Sequence, residues 1–288
     1  MAGKPIESYS ASQQQNKEFI SNPVQRNIHE FSEFLKPYDW KIGIDGPAAA
    51  GKGSLIELFE KHLGIERLST GLMYRTVTFA LLMDHQMNYQ TLSDEQLAEY
   101  LQTIDIQFKK DDKENRILLH YHTQTKPEII DLTSVLELPR INDTVSEVAS
   151  RTPVREFLAP QQTKRIKESK QIVTEGRDTW LIAPPPITDL LVYIYASDKV
   201  LVEREMSRQK KNGITISEAE AYMSIVERNR NDIAKGKLLS PEQARTSHLY
   251  SAVIDTTNKT KGETFLQILQ TMALHPKVTN PPSLRVRP

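Results

Sequence analysis

Residues 40–63 read WKIGIDGPAAAGKGSLIELFEKHL, and this stretch decides the fold. Trp40, Ile42 and Ile44 alternate as in a short buried strand. Gly46 and Gly51 bracket four small residues, Pro47, Ala48, Ala49 and Ala50, and Lys52 follows at once. Leu55, Ile56, Phe59 and Leu63 then recur at helical spacing. A loop of small residues lets backbone N–H groups turn inward around an anion, and the helix N-terminus adds partial positive charge. Lys52 supplies a full charge for the outer phosphates of a nucleoside triphosphate. The alternative is a tight strand-to-helix turn that binds nothing. Strand, loop and helix together weigh against it.

A P-loop usually carries Ser or Thr directly after the lysine, as a magnesium ligand. Here Gly53 stands there and Ser54 comes next. That G-K-G-S ending resembles nucleoside monophosphate kinases rather than GTPases or motor ATPases. No N-K-x-D guanine-reading motif occurs in the chain. The loop therefore points to small-molecule phosphoryl transfer, with residues 46–54 holding ATP.

At 288 residues the chain can bury a substantial core, as one large domain or one domain with insertions. Lysine and arginine total 37 against 37 acidic residues, so no net field points to nucleic acid or an anionic membrane. With no cysteine, disulfides, thiolate metal sites and a cysteine nucleophile are excluded. No apolar run reaches membrane-spanning length and the first residues lack an apolar targeting core. The expectation is a soluble, cytoplasmic monomer whose partners are small nucleotides.

Along the chain, residues 1–21 are polar and Gln/Ser-rich, the composition of a loose tail. Asn22-Pro23 opens a helix with Val24, Ile28, Phe31 and Leu35 on one face, ending by Pro37. That helix docks on the core or holds a partner. Residues 275–288, HPKVTNPPSLRVRP, lack apolar periodicity and read as a disordered tail. Strand candidates at 40–45, 171–175, 189–195 and 251–255 alternate with helical patterns, which argues for a parallel sheet covered on both faces. Residues 103–131 break the rhythm as short strands, suggesting a small antiparallel insertion. His120 and His122 share a strand face there, but two histidines with no third ligand make a weak metal site.

Three further clusters carry chemistry. In LSTGLMYR, residues 68–75, Thr70 and Gly71 suit a cap before a helix that carries Tyr74 and Arg75. Arg75 can clamp a phosphate bidentately, although an isolated arginine is more often a solvated one. TEGRD, residues 174–178, follows an apolar strand. Ligands of open parallel sheets bind beyond the strands' carboxyl ends, so Glu175, Arg177 and Asp178 would share a mouth with the loop. A plain charged turn is the competing reading. In IVERNRNDIAKGK, residues 225–237, Arg228, Asp232 and Lys235 share a helix face. The bland reading is a solvated helix with an i,i+4 pair.

In this order, GPAAAGKGS, LSTGLMYR, TEGRD and ERNRND resemble the bacterial cytidylate kinases. The resemblance extends through INDTVSEVASRTPVRE to VIDTTNKT and covers about residues 39–274. It implies a P-loop α/β fold with a parallel sheet flanked by helices, an antiparallel insertion at about 103–131 and a short lid at about 228–241. Residues 1–38 would be an N-terminal extension. The implied reaction moves the γ-phosphoryl group of ATP to CMP or dCMP. Ser146, Arg155 and Asp178 would then fall at the cytosine-reading positions. Thr70, Tyr74, Arg75, Arg177, Arg228, Asp232 and Lys235 would surround the sugar and acceptor phosphate. Lys52, Arg177, Arg228 and Lys235 would act on the transferring group, with Mg²⁺ near Ser54 and, through water, Glu175.

The base assignment has its own chemical sense. Cytosine offers an amine donor plus N3 and O2 acceptors, which match Asp178 and Arg155. Uracil inverts the first two, and unpaired buried groups discriminate strongly. The chain departs from the family at several positions. Glu175 replaces an aspartate, Lys235 an arginine, and Glu137 an arginine, with Arg140 as a nearby substitute. Thr179-Trp180 replaces a small pair, and Pro160 is expected to interrupt a helix. The rival readings are a P-loop kinase for another small acceptor, and a nucleotide-binding regulatory protein that has lost turnover.

Overall fold

The computed structural model of the chain describes residues 22–84, 88–110, 115–122, 127–132 and 139–278. The polar stretch 1–21, Glu137 and residues 279–288 lie outside the described residues, as do the side chains of His120 and His122. The chain divides into two compact units: residues 1–68 with 169–288, and residues 69–168.

The first unit is built on a five-stranded sheet of order β2-β6-β1-β7-β8. The strands are β1 (Lys41–Asp45), β2 (Glu66–Ser69), β6 (Ile172–Gly176), β7 (Leu190–Tyr195) and β8 (Ala252–Asp255). The pairs β1–β6, β1–β7 and β7–β8 are parallel. Ile42, Ile44, Val173, Leu191, Val192 and Ile194 are sealed from solvent, which explains why these strands read as apolar runs rather than alternating ones. All four candidate strands therefore form, each within a residue of its expected bounds. β2, with half-buried Glu66 and Arg67 in a four-residue strand, carries no apolar signature and was not expected.

Helices cover this sheet. The Pro23–Leu35 helix starts where Asn22 accepts a hydrogen bond from the Val24 N–H at 2.9 Å. Proline at the first position needs no partner for its nitrogen. Ile28, Phe31, Ser32 and Leu35 are buried, and the helix packs chiefly on the Lys261–Ala273 helix. Trp40 then turns the chain into β1, its indole N–H donating to the Leu35 carbonyl at 3.1 Å. Residues His275–Val278 fold back over that tryptophan. The His275 ring meets the indole edge-on at 5.6 Å, and Lys277 lies 4.5 Å above it while pairing with Asp189 at 2.7 Å. Residues 275–278, within the stretch expected to be tail, are therefore docked, because a cation and a ring meet on one buried tryptophan.

The second unit joins helices Thr70–Met83, Asp94–Leu101, Pro139–Val148 and Thr152–Glu168 to a three-stranded antiparallel sheet. Its strands are β3 (Ile104–Lys110), β4 (Asn115–His122) and β5 (Pro127–Asp131), the insertion expected from sequence. Arg151 anchors the helix pair, its Nε and a terminal nitrogen both reaching Asp94 Oδ1, at 2.8 and 2.6 Å. Pro160 does not interrupt its helix, which runs unbroken from Thr152 to Glu168. The lost N–H bond falls on an exposed face, where water can take the freed carbonyl. No helix among the described residues is long and apolar enough to cross a membrane.

Candidate active site

The loop after β1 turns on two glycines of different kinds. Gly46 has φ +147, and a Cβ there would lie 2.0 Å from the Ile194 carbonyl oxygen, so only glycine lets β1 run this close to β7. Gly51 has φ +104 with open space around it, so its demand is purely on the backbone. Gly51 is also the N-cap of the Lys52–Leu63 helix, and no side chain caps that start. A helix N-terminus without a side-chain cap can take an anion.

Side chains from distant segments fix the loop. Arg204 donates to the Ala50 carbonyl at 3.1 Å and to Thr256 at 3.0 and 2.8 Å. Asn229 accepts from the Ala48 N–H at 3.0 Å, and its buried amide nitrogen has no partner. Lys52 curls over the loop and donates to the carbonyls of Gly46 and Pro47, each at 2.8 Å. Gly53 and Ser54 stand in the first turn of the helix, Ser54 half-buried.

The charges expected at this mouth gather around Lys52. Burial lowers its pKa to about 8, with Glu175 and Asp45 pulling it back up and Arg177 and Arg228 pushing it further down. Arg177 is likewise held below its ordinary value by burial and by Arg228, while Asp178 opposes them. Glu175, Arg177 and Asp178 lie at the carboxyl end of β6, where the parallel-sheet rule placed them. Arg228 opens the Arg228–Ala234 helix, which is entered through a π-helical turn at Met223–Glu227. Such turns are rare and cluster at functional sites.

Asp232 pairs with Arg177, a partner that the fold brings in from the end of β6, each side chain only a fifth exposed. Lys235 is the exposed C-cap of that helix.

In the second unit, Thr70 is not a cap. Ser69 holds the extended N-cap position, without a side-chain cap bond, and Thr70 is the first helical residue, buried against the core. Tyr74 and Arg75 follow on the second turn, both half-buried. Ser146 is exposed near the end of the Pro139–Val148 helix, and Arg155 is half-buried on the first turn of the Thr152–Glu168 helix. Arg140 is exposed at the start of the former.

Sequence reasoning missed Asp45, Arg204, Asn229 and Tyr250. Asp45 ends β1 and is wholly buried, yet its carboxylate accepts from the N–H groups of Thr179 (2.9 Å) and Trp180 (3.0 Å) and from the Tyr250 hydroxyl (3.0 Å). Burial pushes its pKa up to about 6 against the pull of those donors. A carboxylate closing the strand KIGID directly before Gly46 was the signal available. Among the described residues no group of three or more His, Asp or Glu side chains could hold a metal unaided. Ser54 and Glu175 offer one hydroxyl and one carboxylate, which suits a magnesium ion that completes its shell with water and phosphate oxygens.

A family model described as cytidylate kinase matches residues 42–274. Among curated relatives, a cytidylate kinase of Lactococcus lactis subsp. lactis (strain IL1403) is 29% identical over 224 residues, covering 77% of this chain and 92% of its own length. One from Thermodesulfovibrio yellowstonii is 28% identical, covering 81% and 97%. One from Thermotoga neapolitana is 29% identical, covering 80% and 96%. Among solved structures, a gluconokinase from Sinorhizobium meliloti 1021 aligns over 82% of this chain and 93% of its own, at 13% identity and a TM-score of 0.40.

Proposed function

The chain belongs to the cytidylate kinase family, and from that membership we infer that it transfers the γ-phosphoryl group of ATP to CMP or dCMP, releasing ADP and CDP or dCDP. The observation that carries the reading is the group of charges around Lys52, in which Glu175, Arg177 and Arg228 converge on an open helix start. The acceptor phosphate oxygen is already anionic, so no general base is required. Catalysis is then alignment and charge neutralisation.

In this reading residues 46–54 hold the ATP phosphates, and Lys52, Arg177 and Arg228 stabilise the charge that develops in transfer. Lys235, exposed at its helix end, joins them only if the segment from Arg228 to about residue 241 closes as a lid, which would also exclude water. Ser54 and, through water, Glu175 would hold Mg²⁺, which neutralises phosphate charge when bound. Asp178 accepts from the cytosine amine. Asp232 takes the ribose. On the second unit, Thr70, Tyr74, Arg75, Ser146 and Arg155 keep the acceptor-binding assignments that the family resemblance gives them. Balanced net charge supports small nucleotides rather than nucleic acid as partners. A cytoplasmic monomer belongs to the same reading.

The test is coupled ADP release with CMP, dCMP, UMP and AMP as acceptors. CMP and dCMP should turn over. Equal turnover of UMP or AMP would show the base reader to be misassigned, and no turnover with any acceptor would favour a binding protein.

A further inference from the structure

The peptide bonds of the glycine-bounded loop are trans, so each plane carries a carbonyl at one end and an N–H pointing the opposite way. The Pro47–Ala48 plane is pinned at both ends. Lys52 donates to the Pro47 carbonyl at 2.8 Å, and Asn229 accepts from the Ala48 N–H at 3.0 Å. The Ala50 N–H turns back to the Pro47 carbonyl at 3.4 Å. The Ala50–Gly51 plane is held at one end only. Its carbonyl accepts from Arg204 at 3.1 Å, with the Thr256 hydroxyl 3.4 Å away, while the Gly51 N–H meets no acceptor among the described residues.

This is the plane that most needs a hold from outside. Gly51 has open space where a Cβ would stand, and no side chain caps the helix it starts, so its own backbone does little to stop the plane turning over. Turned over, the plane would face bound phosphates with the Ala50 oxygen and lose the Gly51 N–H to them. Arg204 prevents this from the Asp198–Lys211 helix. Besides the Ala50 carbonyl it grips Thr256, at the hydroxyl (3.0 Å) and the carbonyl (2.8 Å). Thr256 is buried directly after β8, and its N–H and hydroxyl both donate to the Tyr195 carbonyl at the end of β7, at 2.8 and 2.9 Å. One guanidinium thus ties the loop to the ends of two neighbouring strands, using the planar fork that a lysine lacks. All three of its acceptors are neutral oxygens, so the contact is one of direction rather than of charge pairing.

We propose that Arg204 is a positioning residue of the ATP loop: by holding the Ala50 carbonyl outward it keeps the Gly51 N–H turned in toward the phosphates of the donor nucleotide. The role rests on the reading of residues 46–54 as the loop that holds ATP. Without Arg204 the Ala50–Gly51 plane is free to turn over, and the loss appears in donor binding while acceptor recognition is kept.

Five proteins test this: the parent, Lys52→Ala, Arg204→Met, Arg204→Lys and Thr256→Val. The Kd for ATP without acceptor is measured by calorimetry, KM for ATP and for CMP by coupled ADP release, and the Gly51 amide proton is followed by NMR as ATP is added. In the parent that proton should move downfield as it meets a phosphate oxygen. Arg204→Met should abolish the shift, raise the Kd for ATP about 10- to 100-fold and leave the KM for CMP within about threefold. Arg204→Lys keeps the charge without the fork and should stay within about threefold of Arg204→Met. Thr256→Val removes one of the three acceptors and should weaken ATP about threefold. If Lys52→Ala leaves ATP binding untouched, ATP does not sit on this loop and the inference falls with the reading. If Lys52→Ala weakens ATP but the parent's Gly51 proton does not move, Arg204→Met binds ATP as the parent does, Arg204→Lys restores parental binding, or ATP and CMP weaken alike, the inference alone is overturned. Should Arg204→Met not fold, Arg204→Lys and Thr256→Val decide: a parental Gly51 shift and a parental Kd in both overturn it.

Discussion

β1 and β6 lie side by side in parallel register, Lys41 against Ile172 through Asp45 against Gly176, and each runs through a turn into a helix. The turn after β1 is shaped by glycine and leaves its helix start without a side-chain cap. The turn after β6 has no glycine beyond Gly176, and its first N–H groups are satisfied from inside by Asp45. Two neighbouring strand-to-helix connections thus use the same physics in opposite ways. One keeps its backbone donors for a ligand anion. The other closes them off with a protein anion, so that side chains alone face the ligand.

The sharpest way to break this contrast is to remove the charge that completes the first turn. Lys52→Ala should lower kcat on the order of a thousandfold, read by CMP-dependent ADP release, because a positive charge aimed at the transferring phosphate disappears. Near-parental turnover would leave the loop no more than a bend.

Next come the two glycines. Gly46→Ala puts a Cβ 2.0 Å from the Ile194 carbonyl oxygen, with φ +147 to accommodate as well. It should cost roughly 3 kcal/mol or more in denaturant stability and abolish most activity. Gly51→Ala meets nothing within 4 Å and strains only φ, so about 1 kcal/mol is expected. Equal losses for the two would mean that the approach of β1 to β7 is not what fixes Gly46.

The second turn is tested by pH. The Asp45 pKa rises from an ordinary 3.8 to about 6 in the folded protein. The folded state therefore binds that proton more tightly than the unfolded chain does. Its contribution to stability is full below 3.8 and is lost as pH climbs through 6. The parent should lose up to about 3 kcal/mol relative to Asp45→Asn between pH 4 and pH 7, measured by urea midpoints. Parallel pH profiles for the two proteins would remove the buried charge from the account.

The smallest effect is expected at Asn229, which links the ERNRND helix to the loop through the Ala48 N–H. Asn229→Ala should cost about tenfold in kcat/KM, and Asn229→Asp, which keeps the acceptor oxygen, should restore most of it. Failure of the aspartate to rescue would point to a task for the amide nitrogen, which has no protein partner.

What the sequence reveals follows the range of the interactions. β1, β6, β7 and β8 are legible because strands buried on both faces must be apolar throughout. The loop is legible because glycine, small residues and lysine are adjacent in the chain. β2 is hidden because ERLS has no such run. Asp45 and Asn229 are hidden because their partners lie 134 to 205 and 181 residues away, and a lone polar residue says nothing of which backbone donor it will meet. The Arg177–Asp232 pair is missed for the same reason, since on the helix alone Arg228 is the nearer cation. Pro160 errs the other way. The local rule forbids it, while an exposed position on a helix held along its other face tolerates it.

The packing of the Pro23–Leu35 helix on the Lys261–Ala273 helix also sets a clock on synthesis. The first helix is translated long before its principal partner exists. At roughly 5–20 residues per second, the intervening stretch takes on the order of 10–50 s to appear. Through that interval Ile28, Phe31 and Leu35 present an apolar face beside the ribosome with its main cover still unmade. A nascent chain halted before residue 261 should therefore be a good client for chaperones that hold exposed apolar helices, and completion of the last helix should release it.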